Sequence, residues 1–443
     1  GGRVASVPEG GIYSCSNAWS NTSQVTDFTS GGFHLTSIAS CSMAVERSVL
    51  VTIGGLGVNN STIHGAGTTN SSAMMAGGIS DNRVLRIWNY ESMRCELAYY
   101  FGNSEPIAVA CHPSGFQVLV SFKDRVRLYN VLLDKLKLYK ETIQKLCREI
   151  QFCNGGQHWA AASTINVVLY DTLTFTQLVT YQGHMLSIRC LRWEQGDQMI
   201  FSAGLDGNVY GWRSSSESRV EIVPASSRSP NIIGMTIESV SPLFPTATDY
   251  DDPGAANASS AMNRVLTTMV DGSMRVTQYC YSNAAAHASG GSGHNKAVDI
   301  QVVDSQIIAP LPSDMLVSSS GANAAPNSAG GVSDKVIQIT AVCMSNDCKR
   351  FYAGTSVGAV RIYPWPLPFK TASNDSKEYD SSVYLEYQAH SSAIISLFET
   401  PTRNAIISTS DTGSIFIHGL SALDAGSSKQ SAVAAAFDMD SGG

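Results

Sequence analysis

The sequence predicts an all-β fold: a single seven-bladed β-propeller with long low-complexity loop insertions. Three observations carry this. Between Gln182 and Arg213, apolar runs (Ile188 to Trp193, Met199 to Ala203, and one ending at Trp212) are separated by Gly196-Asp197 and Asp206-Gly207. Short apolar runs bounded by such dipeptides mean antiparallel strands, because Gly and Asp tolerate the positive φ of tight turns. Second, Trp88, Tyr129, Tyr170 and Trp212 each end a third strand, at spacings of 41, 41 and 42 residues, the period of a four-stranded blade. Third, a glycine five positions ahead keeps this register where the spacing stretches. Gly207 precedes Trp212, Gly272 precedes Thr277, Gly358 precedes Tyr363, and Gly413 precedes His418. The later spacings of 65, 86 and 55 each read as one repeat plus inserted residues.

The inserts are marked by composition. Residues 58–80, 246–263, 282–297, 313–335 and 371–382 are rich in Ser, Gly, Ala and Asn. Such segments bury too little apolar surface to offset their ordering entropy, so mobile loops are expected. On the blade plan, 58–80 and 313–335 leave one face of the disc and the other three leave the opposite face. Residues 1–23 are expected as a flexible lead, 24–420 as the propeller and 421–443 as a flexible tail. Blade seven shows strands at 394–398, 404–409 and 414–418 but no fourth. Gln24 to Thr29, spare ahead of blade one, is expected to supply that strand, closing the ring and covering its edge.

Composition excludes several classes. Of 443 residues, 43% are hydrophobic and 15% charged, which suits a globular core, and the net charge of −7 comes without a long basic run. That argues against a phosphate-backbone binder, so no nucleic acid is expected as a partner. The ten cysteines form no CxxC, which argues against zinc, and several lie in strands as small apolar residues. A reducing compartment is the expected setting. No signal peptide or 18-residue apolar run is found, so no membrane is expected, and sequons such as Asn59-Asn60-Ser61 read as chance. The first residue is Gly1 rather than Met, from which a fragment of a longer chain is expected. No glycine-rich phosphate loop, metal spacing or nucleophile elbow is present, and GGSG at 290–293 reads as linker. No cofactor, metal or small-molecule substrate is expected.

The 41-residue repeat, the Gly183-His184 pair and the closing Trp212 resemble the WD-repeat family. The resemblance implies a buried network joining a His, a strand hydroxyl, a turn Asp and the third-strand Trp. Its fullest match here is His184, Ser202, Asp206 and Trp212. The residue types make physical sense, since a buried imidazole needs partners on both nitrogens and a buried indole N–H needs an acceptor. His, Ser and Asp also superficially resemble a hydrolase triad. The repeat position accounts for every member, so no enzyme is expected. His34 and His390 share the offset of His184, each four residues before an Ile. Blade one offers the partial set His34, Thr52, Asn82 and Trp88. Blade seven offers His390 and Ser408, with Thr412 and His418 in place of Asp and Trp.

Two further stretches are candidate surfaces. From Lys123 to Arg148 the cations Lys123, Arg125, Arg127, Lys135, Lys137, Lys140, Lys145 and Arg148 stand against Asp124, Asp134 and Glu141. This net +5 on blade two could steer an acidic partner. The run from Tyr363 to Phe369, YPWPLPF, ends blade six's third strand because proline stops pairing. Trp365 and Phe369 are expected to cap the core rather than meet a partner.

One region is more specific. PIAVACHPSGFQVLVSFKDRVRLYNVLLDKLKLYKE and CREIQFCNGGQHWAAAS resemble the cilia- and flagella-associated WD-repeat proteins. GHMLSIRCLRW, AGLDGNVYGW, VGAVRIYPWPLP and EYQAHSSAIISL fit the same family. The resemblance covers 95–215 well and 335–420 moderately. It implies the second of two tandem propellers ahead of a coiled coil, in the axoneme of a cilium or flagellum. The expected function is a non-enzymatic interaction scaffold, with inner dynein arm components, other axonemal subunits or tubulin as partners. The alternative is a soluble peptide-reading adaptor of the chromatin or ubiquitin-ligase type.

Overall fold

The computed structural model describes residues 12–13, 34–57, 83–92, 94–102, 104–133, 135–215, 219–223, 230–238, 263–283, 298–316, 335–369, 378–402 and 405–420. Seven blades of antiparallel strands follow one another along the chain, a β-propeller fold. The chain divides into two compact units, one of residues 1–180 with 388–426, the other of residues 181–387 with 427–443. No helix among the described residues is long and apolar enough to cross a membrane.

The first unit holds blades one, two, three and seven. Blade one comprises His34–Met43, Val49–Gly57, Val84–Asn89 and Arg94–Tyr100. Two residues of the expected flexible lead, Ile12–Tyr13, pair with that last strand and make the sheet five-stranded. Blade two comprises Pro106–Cys111, Gln117–Phe122, Arg125–Val131 and Leu136–Ile143. Blade three comprises Cys147–Phe152, His158–Ser163, Asn166–Asp171 and Gln177–Gln182, the last crossing the boundary between units. Blade seven has three described strands, Ile394–Glu399, Ala405–Ser410 and Ile415–Gly419. The expected closing strand, 24–29, lies outside the described residues.

Blades pack through the apolar alternation of their inner strands. Between blades one and two, Val51, Ile53, Leu85, Val109, Val118 and Val120 interdigitate, with Phe101 edge-on to Phe122. Between blades two and three, Leu119, Val126, Leu128, Ile150, Phe152 and Trp159 form the next layer. Between blades one and seven, Ile38, Leu50 and Trp88 pack with Ile407 and Ile415. Each fully buried side chain of this kind contributes roughly 1.5–3 kcal/mol.

The second unit holds blades four, five and six. Blade four comprises Ile188–Trp193, Met199–Gly204, Val209–Arg213 and Arg219–Val223. Blade five comprises Ile232–Glu238, Asn263–Met269, Met274–Asn283 and Val298–Ile308. Blade six comprises Ile339–Met344, Arg350–Thr355, Ala359–Pro364 and Leu385–Gln388. Of the five expected inserts, 58–80 lies wholly outside the described residues, and so do most of the other four. Their ends correct the expected boundaries. Ser282 and Asn283 extend a strand of blade five. Pro312–Asp314 form a 3-10 turn, after which Met315–Leu316 pair with Lys335–Val336. Tyr379 is buried and stacks on Phe369, so 378–382 is not a free loop end. Composition hid these anchors because one buried side chain per segment hardly alters it.

The third-strand ruler corresponds to one register position. Trp88 pairs with Leu50, Tyr129 with Val118, Tyr170 with Trp159, and Trp212 with Ile200. Thr277 pairs with Val265, Tyr363 with Phe351, and His418 with Ile406. Gly207, Gly272, Gly358 and Gly413 have φ of 75, 80, 85 and 87° in the turns before these strands. An L side chain adopts that region at a steric cost, which is why glycine recurs there.

In blade six, Trp365 and Leu367 of the YPWPLPF run are buried. The Trp365 indole stands edge-on to Phe351 and donates to Glu238 Oε2 at 2.8 Å. Phe369 is about half exposed. Of the two aromatics, Trp365 caps the core and Phe369 covers Tyr379.

Candidate functional site

In blade four the strands place His184, Ser202, Asp206 and Trp212 on one another. Ser202 faces inward from the second strand, Asp206 lies in the following turn, and Trp212 ends the third strand. His184 Nδ1 lies 3.0 Å from Asp206 Oδ2, and its Nε2 lies 2.8 Å from Ser202 Oγ. Trp212 Nε1 donates to Ser202 Oγ at 2.7 Å. A carboxylate only accepts and an indole N–H only donates, so the proton order follows. Trp212 donates to Ser202, Ser202 donates to His184 Nε2, and His184 Nδ1–H donates to Asp206. Asp206 also accepts from the backbone N–H of Met185 and Asn208. Burial works against its charge, yet these donors hold its carboxyl below the usual carboxylate range.

A hydrolase would need Ser202 free to attack. Here its oxygen is fully buried, accepts from an indole and lies under Trp212. The chemistry of this set is anchoring: it ties the approach to blade four, its second strand, a turn and its third strand together. Gly204 sits against it, and an added Cβ would lie 2.7 Å from Asp206 Oδ1 and 2.8 Å from His184 Nδ1. Gly204→Ala is therefore expected to destabilise the chain by about 1–3 kcal/mol, read as a lower thermal midpoint. An unchanged midpoint would mean that the network does not hold this blade.

Blade one retains part of the set: Trp88 Nε1 donates to Thr52 Oγ1 at 2.9 Å. The His34 side chain and Asn82 lie outside the described residues. Blade seven departs from the expectation. His390 Nε2 meets Ser408 Oγ at 2.8 Å, and His418 Nε2 meets the same oxygen at 3.0 Å. The partner of His390 Nδ1 is Ser414 Oγ at 2.7 Å, not Thr412. Thr412 instead joins Ser392 and Ser410, each at 3.0 Å. A hydroxyl relay through Ser414 and Ser410 thus stands in the carboxylate's place. Burial pushes both imidazoles down to about 4, helped for His390 by the neighbouring His418.

The basic stretch of blade two is rearranged by its hairpin register. Arg127 pairs across the strands with Glu141 and bonds it at 3.1 Å. Arg125 bonds Asp124 at 2.8 Å and lies 3.5 Å from the same Glu141. Lys140 donates to the Leu173 carbonyl of blade three. The structure thus separates Arg125 and Arg127, which are matched locally, from Lys123, Lys135, Lys137 and Lys145, and it places Arg148 on the first strand of blade three rather than on blade two. The four lysines and Arg148 are exposed and make no ion pair among the described residues. Along with them, the outer strand and its turns expose large apolar side chains.

Two ion pairs in the second unit, one buried and one part-buried, escaped sequence reading. Arg361 donates to Asp314 Oδ2 at 2.8 Å and Oδ1 at 2.6 Å, and also to Glu386, with its guanidinium over Tyr384. Burial opposes the charge, and the two carboxylates more than offset it, holding Arg361 above the usual guanidinium value. Arg264 and the Trp365 indole share Glu238. The available signal was an arginine two positions before Tyr363, on a strand otherwise apolar at that site.

Among the described residues, no three His, Cys, Asp or Glu side chains gather as a metal site. The segment that carries the His–Ser–Asp–Trp network is a WD repeat. Residues 175–213, from the last strand of blade three through the third strand of blade four, match the WD domain, G-beta repeat family. The chain is similar to cilia- and flagella-associated protein 57 of Mus musculus, 26% identical over 76% of this chain and 20% of that protein. It is also similar to cilia- and flagella-associated protein 57 C of Tetrahymena thermophila, 30% identical over 36% of this chain and 14% of that protein. Bos taurus WD repeat-containing protein 1 is 32% identical over 27% of this chain and 21% of its own length. The chain thus spans a fifth or less of the length of its cilia- and flagella-associated relatives.

Proposed function

We propose that this chain is a propeller of a cilium- or flagellum-associated scaffold, without catalytic function, that docks neighbouring axonemal subunits. The observation that carries this is the similarity to cilia- and flagella-associated protein 57 across three quarters of the chain. The buried state of the triad-like set in blade four supports a non-catalytic role. A rigid blade framework offers exposed strands and loops to partners, and those surfaces choose the partner. Components of the inner dynein arm, other axonemal subunits and the acidic surface of tubulin are the partners proposed.

The test is the location of the tagged full-length protein in a ciliated cell, before and after detergent extraction. Retention on the demembranated axoneme is expected. A diffuse cytoplasmic or nuclear signal would overturn the proposal and favour a peptide-reading adaptor.

A further inference from the structure

The outer strand of blade two, Leu136–Ile143, pairs with Arg125–Val131 on one side and with no described strand on the other. Lysines alone would be enough to blunt such an edge. This edge carries more. Leu133 and Ile143 are 101% and 82% exposed, and Leu132, Leu138 and Tyr139 between 40% and 45%. Apolar side chains in that number, rimmed by charge, mark a surface that is covered in use. Among the described residues, the exposed cations of this edge are Lys135, Lys137 and Lys145, all outside the local ion pairs, whereas Glu141 is held by the two arginines.

We propose that this edge binds an extended acidic segment of a protein partner by strand addition. Main-chain hydrogen bonds to Leu136–Ile143 supply the pairing, as in other edge-strand complexes. Apolar side chains at alternate positions of the segment cover Leu138 and Ile143, and Asp or Glu between them meet the lysines. Charge complementarity selects the acidic chain and speeds encounter. The inference deepens the scaffold reading and rests on it only for the partner being a protein.

The 443-residue chain is panned at low salt against a displayed library of random decapeptides. Recovered peptides are expected to alternate Asp or Glu with Val, Ile or an aromatic residue. Their affinity should fall at least tenfold for K135E/K137E/K145E, whose thermal midpoint should match the parent's. Bound peptide should slow amide exchange within Leu136–Ile143, and a central proline in the peptide should abolish that protection. Peptides lacking acidic residues, equal binding by the triple variant, or protection confined to another blade would each overturn the proposal. So would a single-stranded oligonucleotide whose binding the triple variant loses while no acidic peptide is recovered. Should the tagged protein be absent from the axoneme while the peptide result holds, the proposed location fails and the edge site stands.

Discussion

Replacing Arg361 by alanine is expected to cost the chain about 3–5 kcal/mol. The guanidinium is bidentate to Asp314, and both side chains are at least nine-tenths buried. Removing the cation leaves the carboxylate of Asp314 without its compensating charge in an apolar setting, where an unpaired ion is far costlier than in water. The expected readout is a fall in the thermal midpoint and a loss of protection in blade six. A second variant separates the pair's net worth from the damage of breaking it. With Arg361→Met and Asp314→Leu together, both desolvation costs disappear, and most of the stability should return. A single variant that melts with the parent would show that the pair is not buried as described. A double variant no better than R361A would place the loss in packing instead.

Mild acid is expected to destabilise the chain through blade seven. His390 and His418 both share Ser408 and are both held near 4 by burial. The ordinary imidazole value is about 6.5. Because the folded value lies below the unfolded one, the unfolded chain takes up protons first as pH falls. Stability is therefore full above about pH 6.5 and is lost progressively down to about pH 4. After allowance for solvent screening, the loss is on the order of 2 kcal/mol per imidazole by pH 4. Thermal midpoints measured from pH 7.5 to 4 for the parent and for His418→Phe test this. The variant should show the shallower acid limb, since it removes one titrating group and the repulsion on the other. Parallel curves for the two proteins would refute the assignment.

The contrast between these sites shows what a sequence discloses. The blade-four set was legible because its members lie within one repeat and each occupies a position fixed by a turn or a strand end. The blade-seven set was legible for His390, Ser408 and His418, and misread at Thr412. Thr412 and Ser414 are both hydroxyls in one turn, and only the turn's geometry directs Ser414 towards the imidazole. The partner of Arg361 was not legible, because Asp314 lies 47 residues earlier, at the root of a segment whose composition predicts a loop. The charge of blade two was countable but its pairing was not. Which cations Glu141 matches depends on a hairpin register that includes a bulge beside Tyr129.

The packing of blade one against blade seven bears on how the chain matures during synthesis. Ile38, Leu50 and Trp88 find Ile407 and Ile415 more than three hundred residues later, and the Ile38 amide donates to the Asp411 carbonyl. Blades two and three can form as soon as they leave the ribosome, since each closes on neighbours already made. Blade one cannot finish. The apolar side that faces blade seven waits, uncovered, until residues 394–419 emerge, and unfinished surfaces of this kind invite aggregation. The need for a chaperone therefore opens with blade one and ends only when the strands of blade seven arrive.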